Sequence, residues 1–260
     1  RLTMQGLLAI WGRELKAYFI SPIFYALSTV FIFIVSFMFF YSLQSYTQYF
    51  MQVAQYPTMM ERININEMIM RPLFNTISFV AVLTLMPMLT MRVFSEEKKT
   101  GTIELLLTSP VRDWHVILGK FLAAFTLYTA MIGLTLIYPM VLQVYGDPDW
   151  GPIWAGYLGL VLLGGGVITI GLFASSLTEN QIVAAVICFG AALILWMMDV
   201  AAESMTGMLG EVVGYLSVLR HYNTFEKGII DSTDCLFFLS FIFLGLFITV
   251  RSIESTRWRG

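Results

Sequence analysis

Charge is what this sequence has least of. Only 12% of its 260 residues are Asp, Glu, Lys or Arg, against roughly 25% in an ordinary soluble domain. Hydrophobic residues make up 58% of the chain and the mean hydropathy is +0.77, so a soluble globular class is excluded. A basic excess is also missing. The formal net charge is −2, and the positive residues form no continuous patch, which excludes nucleic acid as a partner. Cysteine is limited to Cys188 and Cys235, one inside an apolar run and one at the start of another. Neither a disulfide scaffold nor a zinc site is supported, and both read as small buried hydrophobes. A signal peptide is not expected in this stretch: residues 2–8 are too short a run, soon interrupted by Arg13, Glu14 and Lys16, and the sequence is read as mature protein.

What the sequence does have is long apolar runs. Crossing about 30 Å of hydrocarbon at 1.5 Å per residue takes roughly 20 mostly apolar residues. Six uncharged segments approach that length: 23–43, 73–91, 121–145, 153–174, 182–198 and 235–250. The expected fold is therefore an all-α integral membrane protein, with residues 21–260 forming a six-span domain. Pro87 and Pro139 fall inside spans and should kink them, and Gly164-Gly165-Gly166 should let a neighbouring helix approach closely.

Residues 1–20 read differently. On a helical wheel Leu7, Leu8, Trp11, Leu15, Tyr18 and Phe19 share one face, with Arg13 and Lys16 opposite. That pattern fits a helix lying in the membrane interface, in contact with lipid, or an amphipathic helix packed on protein.

Lys and Arg set the orientation. With the N-terminus inside, the cytoplasmic face holds Arg1, Arg13, Lys16, Arg92, Lys98, Lys99, Arg112, Lys120, Arg251, Arg257 and Arg259, whereas Arg62, Arg71, Arg220 and Lys227 lie outside. The positive-inside rule then places both termini in the cytoplasm and makes the stretch 93–115 the largest cytoplasmic loop. Its centre is a short amphipathic helix. Ile103, Leu106 and Leu107 share a face, with Glu104 and Thr108 opposite; Gly101 loosens the approach and Pro110 prevents continuation. Thr100 and Thr102 are candidate N-caps, and Glu96-Glu97-Lys98-Lys99 is polar enough to stand in water below the bilayer. A solvated helix resting on the membrane has the same pattern.

"RVFSEEKKTGTIELLLTSPV…ILGK" resembles the Glu-x(n)-Gly-Thr-x-Glu-x-Leu-Leu-x-x-Pro…Gly-Lys signature of ABC-2 type transporter permeases. "GLFASSLTENQIVAA" and "HYNTFEKGIIDSTDCLFFLSF" are similar to the subgroup of gliding-motility-associated permeases, so the likeness covers nearly the whole chain. The resemblance implies a type V exporter-like fold in the bacterial inner membrane, with residues 1–20 as a connecting helix. The first cytoplasmic loop would carry a coupling helix, with Glu96, Glu97, Gly101, Thr102, Ile103, Glu104, Leu106, Leu107 and Pro110 as ATPase-coupling residues. It also implies partners: separate ATPase subunits that bind ATP and Mg, a second permease in a homodimer or heterologous pair, and room for an auxiliary extracytoplasmic protein. Consistent with that division of labour, no Gly-x-x-x-x-Gly-Lys-[Ser/Thr] loop occurs. Gly119-Lys120 is followed by Phe121 and lacks the upstream glycine, so the chain is expected to hold no cofactor and to be no enzyme.

Two other classes stay open as alternatives. An intramembrane enzyme needs ionisable or nucleophilic groups converging inside the spans, and His115 and His221 belong to opposite membrane faces. A secondary transporter needs ion-coupling acids or an inverted repeat, and neither is visible. Asp199 is read as marking the outer end of the fifth span. Residues 45–71 form a polar outer loop, and Met205, Leu209, Val212, Val213, Leu216 and Leu219 recur at the spacing of one outer helix. A path rich in Phe, Met and Tyr suits a lipidic, glycan-linked or peptide substrate without selecting among them.

Overall fold

The computed structural model describes residues 2–53, 64–102, 113–205 and 207–257. Among these residues there is no strand, and six helical stretches are long and apolar enough to cross a membrane. Helix α1 (Leu2–Ile20) ends at Ser21, and α2 (Pro22–Val53), the first span, begins on a proline. Proline suits that position because its missing N–H would have no partner in a first turn.

The second span, Asn66–Lys99, is built of pieces. A π turn over Asn66–Met70 leads into α3 (Arg71–Val80), and a second, Ala81–Leu85, leads into α4 (Met86–Thr90); after a turn at 91–94 comes α5 (Ser95–Lys99). Each π turn precedes a proline, Pro72 or Pro87. A proline ring clashes with the carbonyl four residues back, here Met68 or Leu83, and both lie within the widened turns. The third span pairs α6 (Asp113–Leu134) with α7 (Ile137–Tyr145). Pro139 acts on Thr135, and the helix breaks there. The kinks expected at Pro87 and Pro139 thus take the form of a π turn and an interruption.

The fourth span, α8 (Trp150–Leu177), is the buried centre, and α9 (Gln181–Ser204) is the fifth. A Cβ at Gly164 would collide with the ring of Tyr128 in α6, whose hydroxyl donates to Leu160 O at 2.8 Å. Gly165 and Gly166 lie against Ile242 and Phe241 of α12 (Ser232–Arg257), the sixth span. The glycine run therefore lets both neighbours close on α8. By contrast α2 exposes Phe33, Phe37 and Phe40, and α9 exposes Ile182, Val186 and Ile194, surfaces fit for hydrocarbon.

Several expected boundaries are corrected. The first span outlasts its apolar run and continues to Val53, because Gln44, Gln48 and Gln52 are polar yet good helix formers. Residues 45–53 are thus helix rather than loop. The fifth span continues past Asp199 to Ser204, so that carboxylate does not end the helix. The outer helix expected over 205–219 is two helices, α10 (Met208–Leu216) and α11 (Val218–Glu226). Ser217 is extended (ψ 116°) and its Oγ accepts from Arg220 N at 3.2 Å. A cap of this kind interrupts a helix without interrupting its apolar spacing.

Candidate functional site

Lys120 stands about two turns into α6, and its side chain is 1% exposed. A buried ammonium is tolerable only if its three N–H donors find acceptors. Here they do: Glu14 Oε1 at 3.1 Å, Glu97 Oε1 at 2.9 Å and Val93 O at 2.9 Å, with the Phe94 ring centroid at 5.2 Å. Arg13 closes the group from the solvent side, its Nη2 lying 2.7 Å from Glu14 Oε1 and 3.2 Å from Glu97 Oε1. Two cations and two carboxylates make a neutral cluster that ties α1, α5 and α6 together. Gly119 makes this possible, because a Cβ there would meet Ile10 Cγ2 at 2.8 Å and push α1 away. The second Glu97 oxygen, Oε2, is buried with no hydrogen-bond partner.

The turn before α5 is held from α8. Ser175 Oγ accepts from the amides of Phe94 (2.9 Å) and Ser95 (3.0 Å) and donates to Met91 O (3.1 Å). Ser95 Oγ also donates to Met91 O, and Lys98 Nζ donates to the Ser176 carbonyl. Nearby, Arg92 donates to Ser21 Oγ at 2.9 Å and Tyr18 OH to Leu89 O at 2.7 Å, which pins the α1–α2 corner to the C-terminal end of the second span. A one-turn helix such as α5 has no stability of its own. Its place is set by these neighbours.

Of the residues expected to couple to an ATPase, Glu97 belongs to the charge cluster and Glu96 is exposed. Gly101 has φ +71°, the left-handed conformation that ends a helix, so it terminates α5 rather than merely loosening the chain. Thr100 Oγ1 donates to Glu96 O at 2.9 Å and pairs with Thr102 Oγ1 at 2.9 Å, and Thr102 reaches back to Glu97 O. Ile103, Glu104, Leu106, Leu107 and Pro110 lie outside the described residues. On α1, Leu7, Trp11 and Leu15 are half-buried and Tyr18 is buried, all turned to the protein, with Trp11 Nε1 donating to Thr126 Oγ1 at 3.2 Å. Leu8 and Phe19, expected on the same face, are exposed, and Ile10 replaces them in the contact with α6.

Sequence reasoning missed the partners of Lys120. The residue was readable as a topology charge and as the last letter of the Gly-Lys signature. Nothing in the sequence, however, pairs it with Glu14, 106 positions away. Ser175 and Ser176 were visible only as part of the "GLFASSLTEN" stretch.

On the opposite face, His221 Nδ1 lies 2.6 Å from Asp234 Oδ1 and its Nε2 lies 2.9 Å from Tyr215 O, with the ring stacked on Phe237 at 3.9 Å. Nε2, the nitrogen that a carboxylate–histidine dyad turns towards its nucleophile, faces a backbone carbonyl here, so this pair is not arranged as a hydrolytic dyad. Among the described residues no group of His, Cys, Asp and Glu is placed to hold a metal ion.

Residues 8–250 match the profile of the ABC-2 family transporter proteins. The chain is also similar to the probable multidrug ABC transporter permease YbhR of Escherichia coli K12, and to its counterpart in Escherichia coli O157:H7. In each case identity is 30% over 87 residues, covering 34% of this chain. The chain spans about a quarter of the length of these curated relatives, 23% in each case. With a match over nearly its whole length and six helices fit to span a membrane, the chain belongs to the ABC-2 family of transporter permeases.

Proposed function

We propose that the chain is the membrane-spanning permease of an ATP-driven exporter in the bacterial inner membrane. In this reading loop 100–112 docks on a separate ATPase and both termini are cytoplasmic. The carrying observation is the Lys120 cluster. Glu97, just before that loop, and Lys120, about two turns into the helix after it, are bonded to each other and to Arg13 and Glu14 of α1. A load applied to the loop is then delivered to the second and third spans and to α1 as one body. The asymmetry of Lys and Arg supports the orientation. The two motifs quoted above support a place in the gliding-motility-associated subgroup, and the large exposed apolar faces of α2 and α9 leave room for a second permease, most simply an identical one.

The bond pattern favours this role over a passive loop. Thr100 and Thr102 fold back on α5, Gly101 turns the chain, and Ser175 fixes the turn before it, so the loop leaves the membrane from a braced support. The test is Leu106→Asp. A carboxylate forced unpaired into an apolar docking groove costs several kcal/mol, and association with it. In a variant that still inserts and dimerises, pull-down of the ATPase and ATP turnover should both be lost. Normal association and turnover would show that this loop does not couple.

A further inference from the structure

The outer face carries a cleft of about 620 Å³ between the end of α9, α10 and α11. It is large enough for a small ligand. Its lining carries both signs. Asp199 and Glu203, one helical turn apart on α9, and Glu211 on α10 supply the acidic groups of the lining; Arg220 and Lys227, on and just after α11, supply the basic ones. None of these five side chains makes an ion pair with another described residue. Opposite charges facing one cleft and not touching leave a gap that a dipolar group can bridge.

The basic part of the lining is built, not incidental. The Arg220 guanidinium lies against Gly214, where a Cβ would collide with its Nη1, so the absence of a side chain at Gly214 makes its seat. Behind it, a second cleft of about 280 Å³ shares Glu211, Arg220 and Thr224 with the first, and its floor is the buried His221–Asp234 pair. The position of α10 indicates the ligand's class. Gly207, just before it, and its residues Gly210 and Glu211 line the cleft, whereas Met208, Leu209 and Val212 are exposed and apolar. A helix so divided, standing between the ends of two spans, rests at the bilayer boundary, which puts the polar cleft at head-group depth.

We propose that this cleft binds the zwitterionic head group of an amphipathic lipid, its phosphate facing Arg220 and Lys227 and its ammonium facing Asp199, Glu203 and Glu211. The assignment rests on the exporter reading only in making that lipid the class of cargo met on the outer side; the binding itself needs no ATPase.

The experiment uses the full permease alone, in nanodiscs of equal phosphatidylethanolamine and phosphatidylglycerol, and counts the lipids it retains by native mass spectrometry. The wild type should retain phosphatidylethanolamine with several-fold enrichment over the bulk ratio. Arg220→Gln with Lys227→Gln should remove the enrichment, as should Glu203→Gln with Glu211→Gln. Gly214→Ala, which displaces the guanidinium without changing any charge, should lower it. Arg251→Gln, at the other membrane face, should leave it intact. A wild-type ratio equal to the bulk, enrichment of phosphatidylglycerol, recovery of a peptide instead of lipid, or indifference to both double variants would overturn the assignment. Because no ATPase is present, these outcomes are independent of whether loop 100–112 couples.

Discussion

Lys120 Nζ lies 2.9 Å from Glu97 Oε1, joining α5 and α6, the helices on either side of the stretch 100–112, through a bond almost closed to water. The same ammonium reaches Glu14 on α1, so one buried charge fixes the relation of three elements.

Removing that charge should be costly. Lys120→Ala leaves Glu14 and Glu97, each largely buried, bridged only by the half-exposed Arg13, and should lower stability by about 3 kcal/mol. Arg13, with its side chain 55% exposed, is a different case: Arg13→Ala should cost under about 1 kcal/mol after screening by solvent and salt. Thermal unfolding in detergent checks both. Equal losses would mean that burial does not set the weight of these pairs.

The Ser175 hydroxyl accounts for three bonds to the turn at 91–95. Ser175→Ala leaves the buried amides of Phe94 and Ser95 without acceptors, which should cost about 3 kcal/mol. The loss should be local, so hydrogen exchange should rise at these two amides while amides in the middle of α8 stay protected. Unchanged protection at both would contradict the role given to the serine.

The spans were legible in the sequence because a hydrocarbon layer demands uncharged length, and that demand leaves a plain mark. Their ends were not. The Gln44–Gln52 extension and the α9 extension past Asp199 obey helix propensity outside the apolar run, where hydropathy is silent. Pro139 announced its break because proline acts on its own chain four residues back. Ser217 concealed its break, since a cap leaves the apolar period intact. The candidate site was half readable: the charged run and Gly101 stood out, whereas the Lys120–Glu14 bond depends on packing between distant segments and has no local signal.

Glu226 gives a pH dependence. Burial pushes its carboxyl above the ordinary range, and the charge and hydrogen bond of Arg71, 3.5 Å away, with the charge of Lys227, offset this only in part. A carboxyl with a raised folded value binds its proton more tightly folded than unfolded. The associated stability is present below the unfolded value and is lost as pH rises through the folded one. Glu226→Gln, which mimics the protonated group, should therefore match the wild type at pH 4 and melt higher at pH 8. A lower melting temperature for the variant at pH 8 would show that the Arg71 pair outweighs burial.

If the stretch 100–112 docks on an ATPase as proposed, a photo-cross-linking amino acid at Leu107, activated in the native membrane, should form a covalent adduct with a cytosolic ATP-binding cassette subunit, identified by mass spectrometry and lost in Leu106→Asp. Adducts formed only with lipid, or only within the permease, would contradict it.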